Sequence, residues 1–218
     1  MLSRLIFILL CFFMEGCNTA PSSPPWLAQE INGREEGTPP ARFPVYQAKV
    51  PPSWIRKDPL FSQSLQDSTL PICEFFIRKD AEEIRIAIHS FPAETLDRRI
   101  APMAQIVRWK KQFEQLNPLQ QHTQSQSWGG FVGLYFEGSG LMKGQQVKML
   151  GWSMQLAREH FLTIQQKDLL SSESYFRQAV GDYTIKALGP KELVEQHQEE
   201  IEAFAHSFEL IRELPEQS

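Results

Sequence analysis

The chain has 218 residues with 22 basic and 26 acidic side chains, a net charge of −4 at pH 7. That mild acidity excludes the basic footprint of a nucleic-acid binder, and no run of four like charges offers an electrostatic membrane patch. A hydrophobic content of 42% is enough to bury one substantial core.

The N-terminus is the most specific segment. Arg4 precedes an apolar run from Leu5 to Met14, followed by Glu15, Gly16 and Cys17. As a helix the run would rise roughly 15 Å, half of a ~30 Å bilayer core, so it suits a signal peptide and not a spanning segment. Residues 1–16 resemble a bacterial lipoprotein signal peptide, in which Cys17 is the lipid-attachment residue and the new N-terminus. Met14 and Glu15 stand where such signals usually carry Leu, then Ser or Ala. An ordinary secretory signal, cut before Asn18 or Pro21, is the alternative. Of the three cysteines, Cys11 leaves with the leader and Cys17 carries the lipid, so Cys73 has no partner for an internal disulfide. Cys73 alternates with Phe75 and Ile77, which predicts a packed, inert thiol.

Residues 17–44 read as a Pro-rich disordered tether. Eight of the fifteen prolines fall between Pro21 and Pro52, with polar residues filling the gaps. Such a segment lacks the apolar surface to order itself, and as a coil its ends would lie about 30 Å apart. Trp26, Leu27 and Phe43 are its few residues able to dock on a domain.

Residues 45–213 read as a single globular domain. A first strand is expected over 43–50, stopped by Pro51 and Pro52. Residues 72–78 and 84–90 alternate, with Ile84, Ile86 and Ile88 on one face, and form an expected hairpin. Strands are also predicted over 131–137, 145–156, 161–165 and 182–188. In 145–156 the apolar parity changes from Val147 and Met149 to Leu150, Trp152 and Met154, which predicts a β-bulge near Gly151.

A helix is expected over 99–116, from Ile106, Trp109, Phe113 and Leu116, with Met103 extending the stripe and Glu94 and Asp97 ahead of it. A short helix is expected around 173–179. In the C-terminal helix, Val194, His197, Ile201, Phe204 and Phe208 share one face, Pro190 starts it, and Glu195, Gln198, Glu199 and Glu202 face water. Strands, helix, strands, helix, with short connections, indicate an α+β fold: a central antiparallel β-sheet packed by helices.

Catalytic patterns are weak. Residues 137–144, EGSGLMKG, miss both phosphate-loop spacings and read as a flexible hairpin loop. His89, His122, His160, His197 and His206 form no zinc spacing. Gly138-Ser139-Gly140 lacks the context of a nucleophile elbow. Glu82-Glu83 and Glu199-Glu200 read as surface charges, and Trp128-Gly129-Gly130-Phe131 and Trp152 as core aromatics before pocket walls. No catalytic residue, metal ligand or cofactor is expected.

Three further features carry a resemblance. Pro51-Pro52-Ser53-Trp54 follows the first strand, and a central helix separates two strand groups. Gly181-Asp182-Tyr183-Thr184-Ile185-Lys186-Ala187-Leu188-Gly189-Pro190 leads into a helix ending Phe204-Ala205-His206-Ser207-Phe208. Over about residues 45–212 these resemble the Mog1/PsbP-like α/β/α sandwich group, and with the leader, the chlamydial-type lipoproteins assigned to it. The resemblance implies a binding or assembly module anchored by acyl chains, palmitate among them. Extrinsic photosystem subunits and a nuclear-transport GTPase partner belong to the group, and a bacterial leader fits neither role. No functional residue is carried over.

The expected function is therefore a lipid-anchored cell-envelope protein, non-enzymatic, binding an envelope protein partner or supporting assembly. The anchor would lie in the cell membrane or outer membrane with the domain facing the periplasm. A small-ligand or lipid-binding module is the alternative, marked by a deep apolar pocket, and a hydrolase a further one, marked by a nucleophile beside a base. An exposed apolar patch would mark the protein-binding reading.

Overall fold

The computed structural model describes residues 25–34, 42–59, 68–93 and 95–216. The leader and Cys17 lie outside the described residues. The described chain runs β1 (Leu27–Asn32), β2 (Pro44–Val50), β3 (Ile55–Lys57), β4 (Cys73–Lys79), β5 (Glu82–Phe91), α1 (Pro102–Lys110), β6 (Gln115–Trp128), β7 (Phe131–Met142) and β8 (Gln145–Leu156). It continues through α2 (Arg158–Gln166), α3 (Leu169–Ser172), α4 (Ser174–Ala179), β9 (Asp182–Pro190), α5 (Lys191–Gln196), α6 (Gln198–His206) and β10 (Glu209–Leu210). Seven strands form one antiparallel sheet in the order β3-β4-β5-β9-β8-β7-β6, and β1-β2-β10 form a second. The fold is the expected α+β, a central antiparallel sheet with helices packed on it.

The central sheet buries both faces unequally. Its first face presents Phe75, Ile86, Trp152, Met154 and Ile185 to a large core closed by Val45 and Val50 of β2, Phe161 of α2, Phe176 of α4, Val194 of α5 and Phe204 of α6. Its second face carries a smaller core, where Ile106 and Trp109 of α1, with Phe113, meet Phe136, Val147 and Met149. β8 lies between the two. Val147, Met149 and Gly151 face α1, and Leu150, Trp152, Met154 and Leu156 face the large core. The apolar parity change thus records burial on both faces. The expected bulge at Gly151 is absent, since β8 pairs β7 and β9 in unbroken register. Gly151 serves a close approach instead: a Cβ there would collide with the Trp109 ring.

Four other expectations are corrected. The tether reading fails for residues 27–32, which form β1 and pair with β2 from Leu27↔Val50 to Asn32↔Pro44. Ile31 is fully buried and Trp26 packs on the core, so a single strand's worth of apolar contact orders this Pro-flanked segment. The helix expected over 99–116 is confined to Pro102–Lys110. Phe113 remains buried beyond it, and the Glu114 amide donates to the Leu141 carbonyl, so sheet pairing takes over where helical spacing still continued. Residues 161–165 are helical, within α2, because Phe161 and Ile164 at i and i+3 both meet the core. The loop expected over 137–144 is strand through Met142, leaving only Lys143 and Gly144 in the turn, both at positive φ. Gly138 and Gly140 oppose the bulge of β6 between Leu116 and Gln121, where a Cβ on Gly140 would strike the Gln115 carbonyl.

The C-terminal helix divides at His197, which ends α5 and precedes α6. Ile201, Phe204 and, beyond the helix, Phe208 still share the buried side, each fully buried.

Candidate interaction surface

The seven-stranded sheet ends on β6, a strand that sequence patterning does not reveal. Its outline follows from the β6–β7 turn. Trp128-Gly129-Gly130-Phe131 is a two-residue hairpin with φ of 57° and 81° at the glycines, and Trp128 pairs with Phe131. Positive φ at both turn positions is the type I′ geometry that matches strand twist, and it makes Trp128–Phe131 a hydrogen-bonded pair. Alternation then directs the backbone groups of Gln126, Gln124 and His122 to β7. The N–H and C=O groups of Ser127, Ser125, Thr123 and Gln121 point outward, and among the described residues no strand lies beyond them.

Beside this edge, on the second face, α1 covers β7 and β8 only in part. A trough of about 620 Å³ opens between the start of α1 and the β6–β7 hairpin, with Pro102, Met103, Ser125, Ser127, Val132 and Leu134 in its walls. Met103, Val107 and Val132 are exposed by 51%, 44% and 44%, three of the six exposed large hydrophobics among the described residues. Met103 and Val132 line the trough together, and Val107 lies one helical turn from Met103 on α1. Leu119, exposed by 93%, lies in the bulge of β6 at the other end of the edge. From residue 115 to residue 136 there is no Asp, Glu, Lys or Arg.

The opposite face of the same hairpin is charged and tied down. Lys148 of β8 is buried, with its ammonium 2.7 Å from Glu137, 2.7 Å from Gln198 Oε1 and 3.9 Å from Glu195. The Tyr135 hydroxyl donates to Glu137 at 3.2 Å or Glu202 at 3.3 Å, and Gln198 donates to Glu202 at 2.8 Å. Burial, then the two carboxylates, push the Tyr135 phenol well above its ordinary value. Burial raises Glu137, but the Lys148 contact, with Tyr135 and Gln198, outweighs it and holds the carboxyl low. This network fastens α6 to the sheet, so Gln198 and Glu202, expected to face water, are instead half-buried against Lys148 and Tyr135.

A second polar cluster sits at the start of β9. Arg99 donates to Asp182 at 2.6–2.8 Å and to the Leu156 carbonyl, and Gln155 donates to the other Asp182 oxygen at 2.8 Å. Burial pushes the Asp182 carboxyl up against the pull of Arg99 and Gln155. Nearby, two adjoining clefts of about 580 and 420 Å³ share Pro92, Arg98 and Gln178 in their walls. Arg34, almost fully buried, donates there to the Ser90 carbonyl at 2.7 Å and ties the end of β1 to β5.

The residues singled out by sequence are scattered. Cys73 is buried in the large core, and burial pushes its thiol up to about 12, which keeps it protonated. Ser139 is buried within β7. Burial lowers His89 to about 4, with Lys186, Arg34 and Arg85 adding repulsion against its hydrogen bond to the Thr69 carbonyl. His197 pairs with Glu200, His122 with Gln124, and His206 meets the Trp128 ring edge-on. Among the described residues no group of three His, Cys, Asp or Glu is placed to hold a metal ion. Glu83 is paired with Arg78, and Trp152 is core. The edge and trough had one sequence signal, the charge-free run from residue 115.

No family model and no curated protein matches this chain. Two similar solved structures are a cyanobacterial PsbP (CyanoP) from Synechocystis sp. PCC 6803 and LpqN, involved in cell envelope biogenesis of Mycobacterium tuberculosis. CyanoP is 12% identical, with a TM-score of 0.46 over 90% of this chain and 98% of that one. LpqN is 10% identical, with a TM-score of 0.47 over 86% of this chain and 92% of that one. At such identities and scores neither likeness carries an argument about function.

Proposed function

We propose that this chain is a lipid-anchored cell-envelope protein whose domain is a non-enzymatic protein-binding module, docking its partner on the β6 edge and the trough beside α1. One observation carries the binding reading: a sheet edge with four outward backbone positions adjoins exposed Met103 and Val132, with no charged side chain along the edge strand. Edge strands ordinarily carry charges that block pairing, and this one carries none. The anchor reading rests on Arg4, the ten-residue apolar run and Gly16-Cys17.

Acyl chains contribute about 0.8 kcal/mol per buried CH₂, so one chain binds reversibly and two or three hold firmly. Labelling with radioactive palmitate and membrane fractionation test the anchor. Wild type is expected in the membrane fraction with label, and Cys17→Ser soluble without it. Label retained in Cys17→Ser refutes the attachment site. The binding face is tested by Val132→Lys, which places a charge in the trough at an exposed position. Cross-linking to envelope proteins should fall with the unfolding midpoint unchanged, and undiminished cross-linking refutes the face.

A further inference from the structure

We infer that the partner taken up by the β6 edge is a second copy of this chain, paired β6 to β6 about a two-fold axis normal to the sheet. The inference rests on the binding face proposed above and names its occupant. An edge strand is self-complementary by construction, since in a two-fold contact residue i meets j and j meets i. Charge decides where two such copies can meet. Each carries a net −4, and a contact along β6 adds no like-charge pair to that repulsion, because none of the 22 basic and 26 acidic side chains lies between residues 115 and 136.

The bulge and the turn select one register. Outward groups occur at Gln121, Thr123, Ser125 and Ser127, bounded by the bulge on one side and by Gly129-Gly130 on the other. Centring the axis on Gln124 sets Gln121 against Ser127 and Thr123 against Ser125, so all four positions pair in each copy. A shift of the axis to Thr123 or Ser125 places a bulge or turn residue opposite one of the four. An axis normal to the sheet leaves both α1 helices on the same face, so the two troughs open toward each other. It also sets Leu119 of each copy opposite Gly129 of the other, in the β6–β7 turn.

Gln124 then faces itself in a non-hydrogen-bonded pair, whose Cα separation of about 4.5 Å suits a disulfide. The test uses the full-length chain in its envelope under mild oxidation. Gln124→Cys should form a disulfide dimer. Gln120→Cys, on the same strand but roughly 27 Å from its counterpart at about 3.4 Å per residue, should not. Ser125→Pro provides the second arm. Proline there removes an N–H that β7 does not use, so the fold should keep its unfolding midpoint while the Gln124→Cys dimer disappears. Equal dimer at 120 and 124, or dimer that survives Ser125→Pro, overturns the inference. A photo-cross-linker at Gln124 separates its failure from that of the binding face. A product of another mass, lost in Ser125→Pro, keeps the face and rejects the second copy. No product of any mass rejects both.

Discussion

Phe204→Ala measures whether α6 is held by the sheet. Phe204 is fully buried, with its ring 5.1 Å from Trp54 and 5.4 Å from Phe75, centroid to centroid. Burying such a side chain is worth roughly 1.5–3 kcal/mol. Removing the ring leaves a void between two aromatics fixed on separate elements, Phe75 on β4 and Trp54 in the segment after β2, so little collapse is available. The cavity term then adds to the transfer term, and the total falls at about 3–5 kcal/mol, a large part of a typical ~5–15 kcal/mol stability. Glu199, one helix face away and exposed, is the control, with Glu199→Ala expected to cost under about 0.5 kcal/mol. Urea unfolding followed by far-UV circular dichroism gives both values. A Phe204→Ala midpoint within error of wild type would refute the packing of α6 on the sheet and would make its apolar side a contact surface.

Three further outcomes follow from the same structure. A chain beginning at Pro25 should match the full-length unfolding midpoint, whereas one beginning at Phe43 loses β1 and buried Ile31 and should lose at least about 2 kcal/mol; equal midpoints would return the domain boundary to residue 44. Glu137 is held below its ordinary carboxylate value, so its contribution is present above that value and is lost as pH falls through the lower folded one. Acid unfolding should therefore be shallower in Glu137→Gln over that window, and an acid limb identical to wild type rejects the role of the Lys148 contact. Gly151→Val forces a side chain into the Trp109 ring and should cost at least ~1–3 kcal/mol while loosening α1; unchanged Trp fluorescence and midpoint would place α1 elsewhere.

Period-two alternation is readable where a strand has one buried face, as at Ile84, Ile86 and Ile88, and the approximate extents of β4, β5 and β9 follow from it. It misled where that condition fails. β8 is covered on both sides, so two interleaved apolar sets looked like one set shifted by a bulge. In α2, a short helix with β-branched Thr163 and Ile164 gives too few turns to separate a period of 3.6 from one of 2. For β1, proline density outweighed the single buried Ile31, because strand pairing with β2 is a nonlocal contact that local composition does not register. Glycines 138 and 140 read as flexibility, yet they clear space for the bulge of the neighbouring strand.

β6 was hidden for the same reason that it is exposed for pairing. An edge strand with small cover has no apolar alternation to announce it, and Gln, Ser and Thr occupy both of its faces. Such strands are usually kept from pairing by charge, proline or a bulge. Here charge is absent, and the two other devices are confined to one end: Pro118 and the irregularity between Leu116 and Gln121. They close the first half of the strand and leave Gln121 to Ser127 open. The open half is thus the same stretch whose four outward residues pair completely with themselves about Gln124. A guard meant to prevent pairing altogether would have covered this half as well, because an unguarded seven-residue edge is long enough to add a strand. The placement of the bulge therefore limits the register of pairing without preventing it.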